Sequence, residues 1–362
     1  MKKRNLLLCM LFLLAPLSGN PIPAGAAETM IGEIVECAGK ATLRQANGAE
    51  QSCAAGLALR PGNVLRTGAD GRIQCRLRDG GTLRLGPNSE LAAEEAALLA
   101  SEEEPLIFRL TLGVLRAVFP TSDSAPEVHT PTAVIGVRGT AYEVAFALDT
   151  ETAVAVDEGT VSLERDDRES DVATGQRVEF STVAPRLRMR KADSPDQRNW
   201  PHWRRRREKN IAKRLTRLKP LYEKWRKSTE TRLPRRAEAL ERSCRKIQAL
   251  LKEMETARER GDRRSLRRVR RKFRKTLPRF RREIRQTRRQ YNRLKSVAGH
   301  CHHIGPFLDR NPNRFSPGAA DAIRSSAGKI MALAEGLEPR FGELRDVVRK
   351  TVAQIQSNRR NE

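Results

Sequence analysis

Two different spacings of apolar residues meet in this chain near Trp200, and they constrain its fold more than any other feature. Before that point, apolar and polar side chains alternate over short runs, as at Ile73, Cys75 and Leu77. Alternation is typical of half-buried strands. After that point, apolar residues recur every three or four positions, as on one side of a helix. The sequence therefore predicts an all-β domain, a linker and an all-α region over residues 28–184, 185–199 and 200–362.

Turn residues separate the predicted strands at intervals of about ten residues. Asn47-Gly48 and Asp79-Gly80-Gly81 are typical of hairpin turns. The acidic, alanine-rich segment Ala92–Glu104 predicts a short helix or a surface loop. Many short strands without a long helix predict a β-sandwich or a β-solenoid-like unit.

The stretch Thr130–Val144, TPTAVIGVRGTAYEV, predicts a strand, a tight turn and a second strand. Gly136 and Gly139 are the two glycines of this stretch. Glycine permits the positive φ of a sharp bend, so the turn is expected between them. Arg138 is a cation between two apolar strands. It either forms an ion pair with a nearby carboxylate or meets an anionic partner; the nearby carboxylates are Glu143, Asp157 and Glu158.

Six motifs follow one another in the β half: LRPGNVLRTG at 59–68, LRDGGTLRLGPNS at 77–89, LGVLR at 112–116, VHTP at 128–131, GVRGT at 136–140 and VDEGTV at 156–161. Together they resemble the FecR domain, the extracytoplasmic module of ferric-citrate-type sigma regulators, over roughly residues 30–180. The resemblance implies an all-β fold and a part in envelope signalling. Members of that family carry a cytoplasmic sigma-binding segment and a transmembrane helix ahead of this domain.

Residues 1–27 have the composition of a cleavable signal peptide instead. A basic start, Lys2 to Arg4, precedes an apolar run from Leu6 to Leu17 and the small residues Ala24 to Ala27. The apolar run is too short to span a bilayer, which needs about 20 residues. We therefore expect an exported protein, periplasmic or extracellular, that is soluble after cleavage. That location permits disulfides, and no nucleic-acid partner is expected there.

Prolines and glycines divide the remainder into four predicted helices, packed as a basic bundle or an antiparallel coiled coil. A break at Thr231–Leu233 precedes a helix that begins at Pro234, and Gly261-Asp262 forms the next turn. Pro278 should kink the third helix. Residues Gly299–Pro317 are expected to form a loop before the last helix.

The positive charge of the chain is concentrated in these helices. Residues 201–300 contain 38 Lys plus Arg against 10 Asp plus Glu, a net +28, whereas the whole chain carries +26. Such a surface repels itself unless anions compensate, and arginine favours bidentate contacts with phosphate or carboxylate. It is either a solvated helix surface or a binding surface for anionic envelope polymers, lipid headgroups or an acidic protein. The partner-binding candidates are Arg138, Arg267, Arg268, Arg270, Arg271, Arg281, Arg282, Arg288 and Arg289.

Cysteine and histidine provide a second group of candidates. The disulfide candidates are Cys37, Cys53, Cys75, Cys244 and Cys301, an odd number that leaves one thiol free or intermolecular. His300, Cys301, His302 and His303 carry ligand atoms that zinc or copper could use. Because adjacent residues rarely all reach one ion, neither a metal nor a cofactor is predicted.

No catalytic motif occurs in the sequence, so an enzyme is not predicted. The main hypothesis is a non-enzymatic envelope binding and scaffold protein, in which the β domain docks a protein and the basic helices bind a polyanion. The alternative is an extracytoplasmic regulator of the sigma-regulator type that acts through a separate membrane partner. Nothing in the sequence predicts an oligomeric state.

Overall fold

The computed structural model describes residues 30–94, 106–120, 126–165, 168–316 and 318–360; the predicted signal peptide lies outside them. A β-rich region is followed by helices, and this order was predicted. The strands are β1 Gly32–Ala38, β2 Ala41–Arg44, β3 Glu50–Ser52, β4 Ala58–Leu59, β5 Val64–Thr67, β6 Arg72–Leu77, β7 Thr82–Leu85, β8 Glu90–Ala93, β9 Ile107–Phe119, β10 Glu127–His129, β11 Val134–Phe146, β12 Thr152–Arg165, β13 Arg168–Ala173, β14 Gln176–Phe180 and β15 Arg188–Lys191. The helices are α1 Trp200–Glu208, α2 Ile211–Glu259, α3 Arg263–Arg310 and α4 Ala319–Arg360.

The described strands join in one sheet, whose longest members, β9, β11 and β12, lie side by side. Neighbouring strands are antiparallel, with one parallel contact between β10 and β9. Ile34 of β1 and Phe180 of β14, far apart in the strand order, are fully buried in the same hydrophobic core. The sheet therefore wraps around that core. Both predicted hairpins form, as the pairs β2–β3 and β6–β7.

Three predictions in the β half need correction or lie partly outside the described residues. The stretch Thr130–Val144 does not contain a reversal, because β11 runs from Val134 to Phe146 as one strand. Gly139 has φ +59°, and the pairing with β12 shifts between Arg138 and Ala141. Since pairing continues on both sides, the glycine makes a β-bulge instead of a turn.

The predicted helix or loop Ala92–Glu104 is also wrong at its start. Ala92 and Ala93 belong to β8, which pairs with β5 and β9. Residues 95–105 lie outside the described residues. Within the predicted linker, β15 pairs with β14 and so extends the sheet.

The prolines do not interrupt the helices. α2 continues through Pro220 and Pro234, and α3 through Pro278 and Pro306, so the predicted break at Thr231–Leu233 is wrong. A proline inside a helix costs about 3 kcal/mol, and burial of a Leu side chain contributes about 1.5–3 kcal/mol. The buried stripe of α2 continues across the predicted break through Leu233, Ala237 and Leu240, and its packing offsets that cost.

The predicted loop Gly299–Pro317 is also wrong, because α3 extends to Arg310. His300, Cys301, Ile304 and Leu308 are buried at helical spacing. His300 and Cys301 occupy core positions of this helix. Histidine was not counted among the apolar core positions, so the predicted helix ended before them. Gly299 lies so close to β9 that a Cβ atom there would be 2.6 Å from Cγ2 of Thr111.

The three long helices pack around a second core. α4 runs parallel to α2, because Gln248 bonds Thr351 at 2.9 Å and Glu238 pairs with Arg340 at 3.3 Å. The start of α2 and the second half of α3 contact the strands. The α2–α3 turn at Gly261 lies about 40 Å along α3 from Arg289, at about 1.5 Å per residue.

Among the described residues, no helix combines the length and the apolar character needed to cross a membrane.

Candidate functional site

The predicted basic surface divides into two parts. Arg267, Arg268, Arg271 and Arg282 are exposed, and Arg270 and Arg281 are half-buried. Arg288, by contrast, is only 5% exposed. Arg289 forms an ion pair with Glu164 of β12. The last two arginines therefore belong to the packed interface with the strands, and their inclusion in one open surface was wrong.

The exposed part lies on the first half of α3, and we call residues Arg263–Arg282 the basic ridge. It contains twelve Lys or Arg and no Asp or Glu over twenty residues. A small apolar cluster of Leu250, Met254 and Val269 fastens this end of α3 to α2. The ridge thus lies on an ordered helix, with its exposed guanidinium groups facing solvent.

A buried cluster of charged side chains holds the start of α1 against the strands. The Arg198 side chain is 2% exposed and bonds Glu143 at 3.1 Å and also Asp157. Nε1 of Trp200 donates a second hydrogen bond to Glu143 at 2.7 Å. Arg116 binds the other carboxylate oxygen of Asp157 at 2.6 Å. These contacts lock the start of α1 onto β11 and β12.

A second ionic group lies at the next turn of α1. Glu179 of β14 accepts bonds from Arg177 at 2.6 Å, Arg190 at 2.7 Å and Nε1 of Trp203 at 3.1 Å. Burial alone would raise the pKa of Glu179, but the surrounding arginines outweigh it and hold that pKa below its usual value. The carboxylate therefore remains charged and keeps the strand joined to the helix.

A third group joins β8 and β9 to α3. Glu90 accepts bonds from Arg66 and Thr111, each at 2.7 Å, and lies 3.5 Å from His303. Glu94 binds Lys295 at 2.8 Å. Burial would raise the pKa of Glu90, yet the hydrogen bond and charge of His303 outweigh it and hold the pKa well below its usual range. Part of the helices' positive charge is therefore neutralised by strand carboxylates.

Two of the three carboxylates proposed as partners of Arg138 have other partners. Glu143 and Asp157 are occupied by Arg116 and Arg198. The backbone of Arg138 lies in β11, opposite Thr160 at the start of the bulge.

The cysteines form one disulfide within the described residues, between Cys37 and Cys53. Cys75, Cys244 and Cys301 are buried free thiols. Burial raises the pKa of Cys75 to about 12, which makes it a poor nucleophile.

The histidine-rich segment lies on α3, and its members point to different surroundings. His300 is fully buried, His303 approaches Glu90 and Thr111, and His302 is exposed. Nowhere in the part of the chain that the structure describes do three or more His, Cys, Asp or Glu side chains cluster as metal ligands would.

Arg198 is the anchoring residue that the sequence analysis missed, because it lies in the predicted linker. One signal could have indicated it. Two of the chain's three tryptophans, Trp200 and Trp203, follow directly after it in a polar, basic segment. Both are buried and pack against the small residues Ala145, Ala153 and Ala155 of β11 and β12. Buried tryptophans indicate a packed segment, whereas the residues of a linker are exposed to solvent.

Comparison with known protein families found a match for one part of this chain. Residues 63–162 match the model of the family described as FecR protein. The matched segment runs from β5 to β12 and includes the buried carboxylates Glu90 and Glu143 and the half-buried Asp157. It confirms the predicted resemblance over these residues, which we call the FecR segment. The comparison with curated proteins found no match.

Solved structures with partial likeness include two crystal structures of a protein proposed to be an anti-sigma factor from Parabacteroides distasonis. Their sequences are 15% and 16% identical to this chain, with TM-scores of 0.33 and 0.32. Each match covers 36% of this chain and 60% of the other, so the chain spans less than two thirds of their length. A third structure, a cell surface anchoring domain, is 27% identical over 17% of this chain and 82% of its own, with a TM-score of 0.17.

Proposed function

We propose that this protein is a non-enzymatic regulator of extracytoplasmic signalling whose FecR segment binds a protein partner in the cell envelope. The match of residues 63–162 to the FecR family is the observation that carries the proposal. Export directed by residues 1–27 and action through a separate membrane partner are parts of the same proposal. It replaces the scaffold hypothesis as the main interpretation.

The partner-binding face is the outer side of β6, β7 and β9. Arg76 and Arg84 are exposed there. Val118 of β9 is 40% exposed and lies opposite Thr82 of β7. An exposed apolar residue with cations nearby suits a partner that offers both an acidic and an apolar surface. α3 contacts β9 nearer its start, around Thr111, and Arg76, Arg84 and Val118 remain exposed in the folded chain.

The test is transcription in the native host after deletion of the gene. Deletion should change the transcripts that depend on extracytoplasmic sigma factors, and the full chain should restore them. The double variant Arg76→Glu and Arg84→Glu should fail to restore them at equal abundance, because it reverses the charge of the proposed face. Arg268→Glu with Arg271→Glu is the matched control on the helices and should restore them. Unchanged sigma-dependent transcription after deletion would refute the regulator hypothesis.

A second function, polyanion binding, is favoured by the basic ridge. Twelve cations without an acidic residue between them, on an exposed helix, form a surface that anionic lipid headgroups or envelope polymers would neutralise. This function is independent of the first, since the ridge lies at the far end of α3 from the strands.

A further inference from the structure

A cavity of about 350 Å³ lies between the FecR segment and the helices. One wall is the turn from β10 to β11, residues 129–134, which carries the end of the VHTP motif. The other walls are Glu164 and Arg165 at the end of β12, Trp225 to Arg232 of α2 and Arg289 to Arg293 of α3. A cavity of this size accommodates a small molecule and not a folded partner.

The charge lining this cavity is unbalanced. The lining contains one carboxylate, that of Glu164, which forms an ion pair with Arg289 of α3. The guanidinium group of Arg232 on α2 has no ion pair among the described residues, so a cation on this wall lacks a counter-charge. Such a cation attracts an anion into the cavity.

Several hydrogen-bond donors on the cavity wall have capacity to spare. Nε of Arg289 is buried and has no hydrogen-bond partner among the described residues. No described residue pairs with the Arg232 guanidinium or bonds the hydroxyls of Ser228 and Thr229. Nearby His129, in contrast, is held by Glu127 at 2.7 Å. The free donors therefore lie on the helical side of the cavity.

We propose that this cavity binds a compact oxyanion with at least two negative charges, a phosphorylated or polycarboxylate small molecule. Arg232 and Arg289 would contact the anion, and Ser228 and Thr229 would donate hydrogen bonds to its oxygens. Guanidinium groups make strong, charge-assisted bonds to both kinds of oxygen. The bound anion would join the turn before β11 to α2 and α3. This proposal does not rest on the signalling role.

The test is titration calorimetry of the full chain with pyrophosphate and with malonate, at constant ionic strength. We expect saturable binding of one site per chain, and the tighter of the two anions identifies the phosphoryl or the carboxylate class. Arg232→Gln and Ser228→Asp should each weaken binding at least about tenfold, because each removes or opposes a charge-assisted contact. Arg242→Gln is the matched control, an exposed arginine ten residues further along α2, and should change the dissociation constant less than about twofold.

Two results would overturn the proposal. One is the absence of saturable binding for both anions. The other is an equal loss in Arg232→Gln and Arg242→Gln, which would indicate general attraction to the basic helices. Thermal melting of each variant must match the wild type, since Arg232 has no ion pair with any described residue. Ser228→Asp provides a second, independent change on the same wall.

Discussion

The Arg198 guanidinium and the Glu143 carboxylate form an ion pair at 3.1 Å, although 55 residues separate them in the sequence. Both side chains are nearly enclosed, at 2% and 11% exposed. The pair joins the segment before α1 to β11, which lies between β12 and β9. The strands and helices are therefore connected by a fixed joint within the predicted linker.

Loss of this joint should destabilise the fold. We expect Arg198→Gln to lower the free energy of unfolding by about 1–3 kcal/mol, because it removes one of the two arginines that Glu143 and Asp157 share and leaves them to Arg116. Urea denaturation of the full chain measures the change. Arg186→Gln, at an exposed position in the same segment, should change stability by less than about 0.5 kcal/mol. Equal effects of the two substitutions would contradict the role of the joint.

The bulge of β11 predicts a glycine requirement. Gly139 and Gly159 have φ of +59° and +77°, and a Cβ on Gly159 would lie 2.5 Å from the carbonyl oxygen of Gly139. Gly139→Val and Gly159→Ala should each cost more than about 1 kcal/mol of stability. Gly136→Ala is the control, since its Cβ would meet only Ser162 O at 3.9 Å. Comparable stability of all three variants, measured by thermal melting, would exclude the strained bulge.

His300 should make stability depend on pH. Burial lowers its pKa from 6.5 to about 3, and its ring lies edge-on to Phe146 at 5.2 Å. Between these two pKa values the unfolded chain binds a proton that the folded chain excludes, so the free energy of unfolding falls as pH decreases below 6.5. Urea denaturation between pH 7.5 and pH 5.5 should show that fall, within a range where the carboxylates stay mostly charged.

His300→Phe should flatten this pH dependence, because it removes the titrating group while keeping an aromatic ring. The matched change at an exposed position, His202→Phe, should leave the slope as in the wild type. An identical slope in all three proteins would show that another group causes the effect.

The basic ridge predicts salt-dependent binding of anionic vesicles by the full chain. Replacing Arg267, Arg268, Arg271 and Arg282 with Gln should weaken co-sedimentation, and binding should fall steeply with salt, since charges are screened over about 10 Å at 0.1 M. The control replaces the exposed Arg72, Arg76, Arg78 and Arg84 of the β region, which removes the same charge. Equal loss in both variants, or equal binding to neutral vesicles, would reject a specific role for the ridge.

The sequence was sufficient wherever a property depends on near neighbours along the chain. The alternation at Ile73, Cys75 and Leu77 gave a strand with those side chains buried, and the helical spacing of Leu240 and Ile247 gave a buried stripe. The FecR motifs are local strings of turn residues, so the match to residues 63–162 was also predictable. The excess positive charge of the helices is a matter of composition alone.

Only the tertiary structure decided which long-range partners each residue meets. Pro234 stays inside α2 because the core on both sides of it stabilises a continuous helix. Arg282 is exposed and Arg289 is bound to Glu164, although the two lie in one basic run. Local sequence specifies periodicity and charge, but the energies of packing and ion pairing arise between segments brought together by folding. That is why the basic surface was predicted in outline, and why its division into a packed joint and an exposed ridge was not.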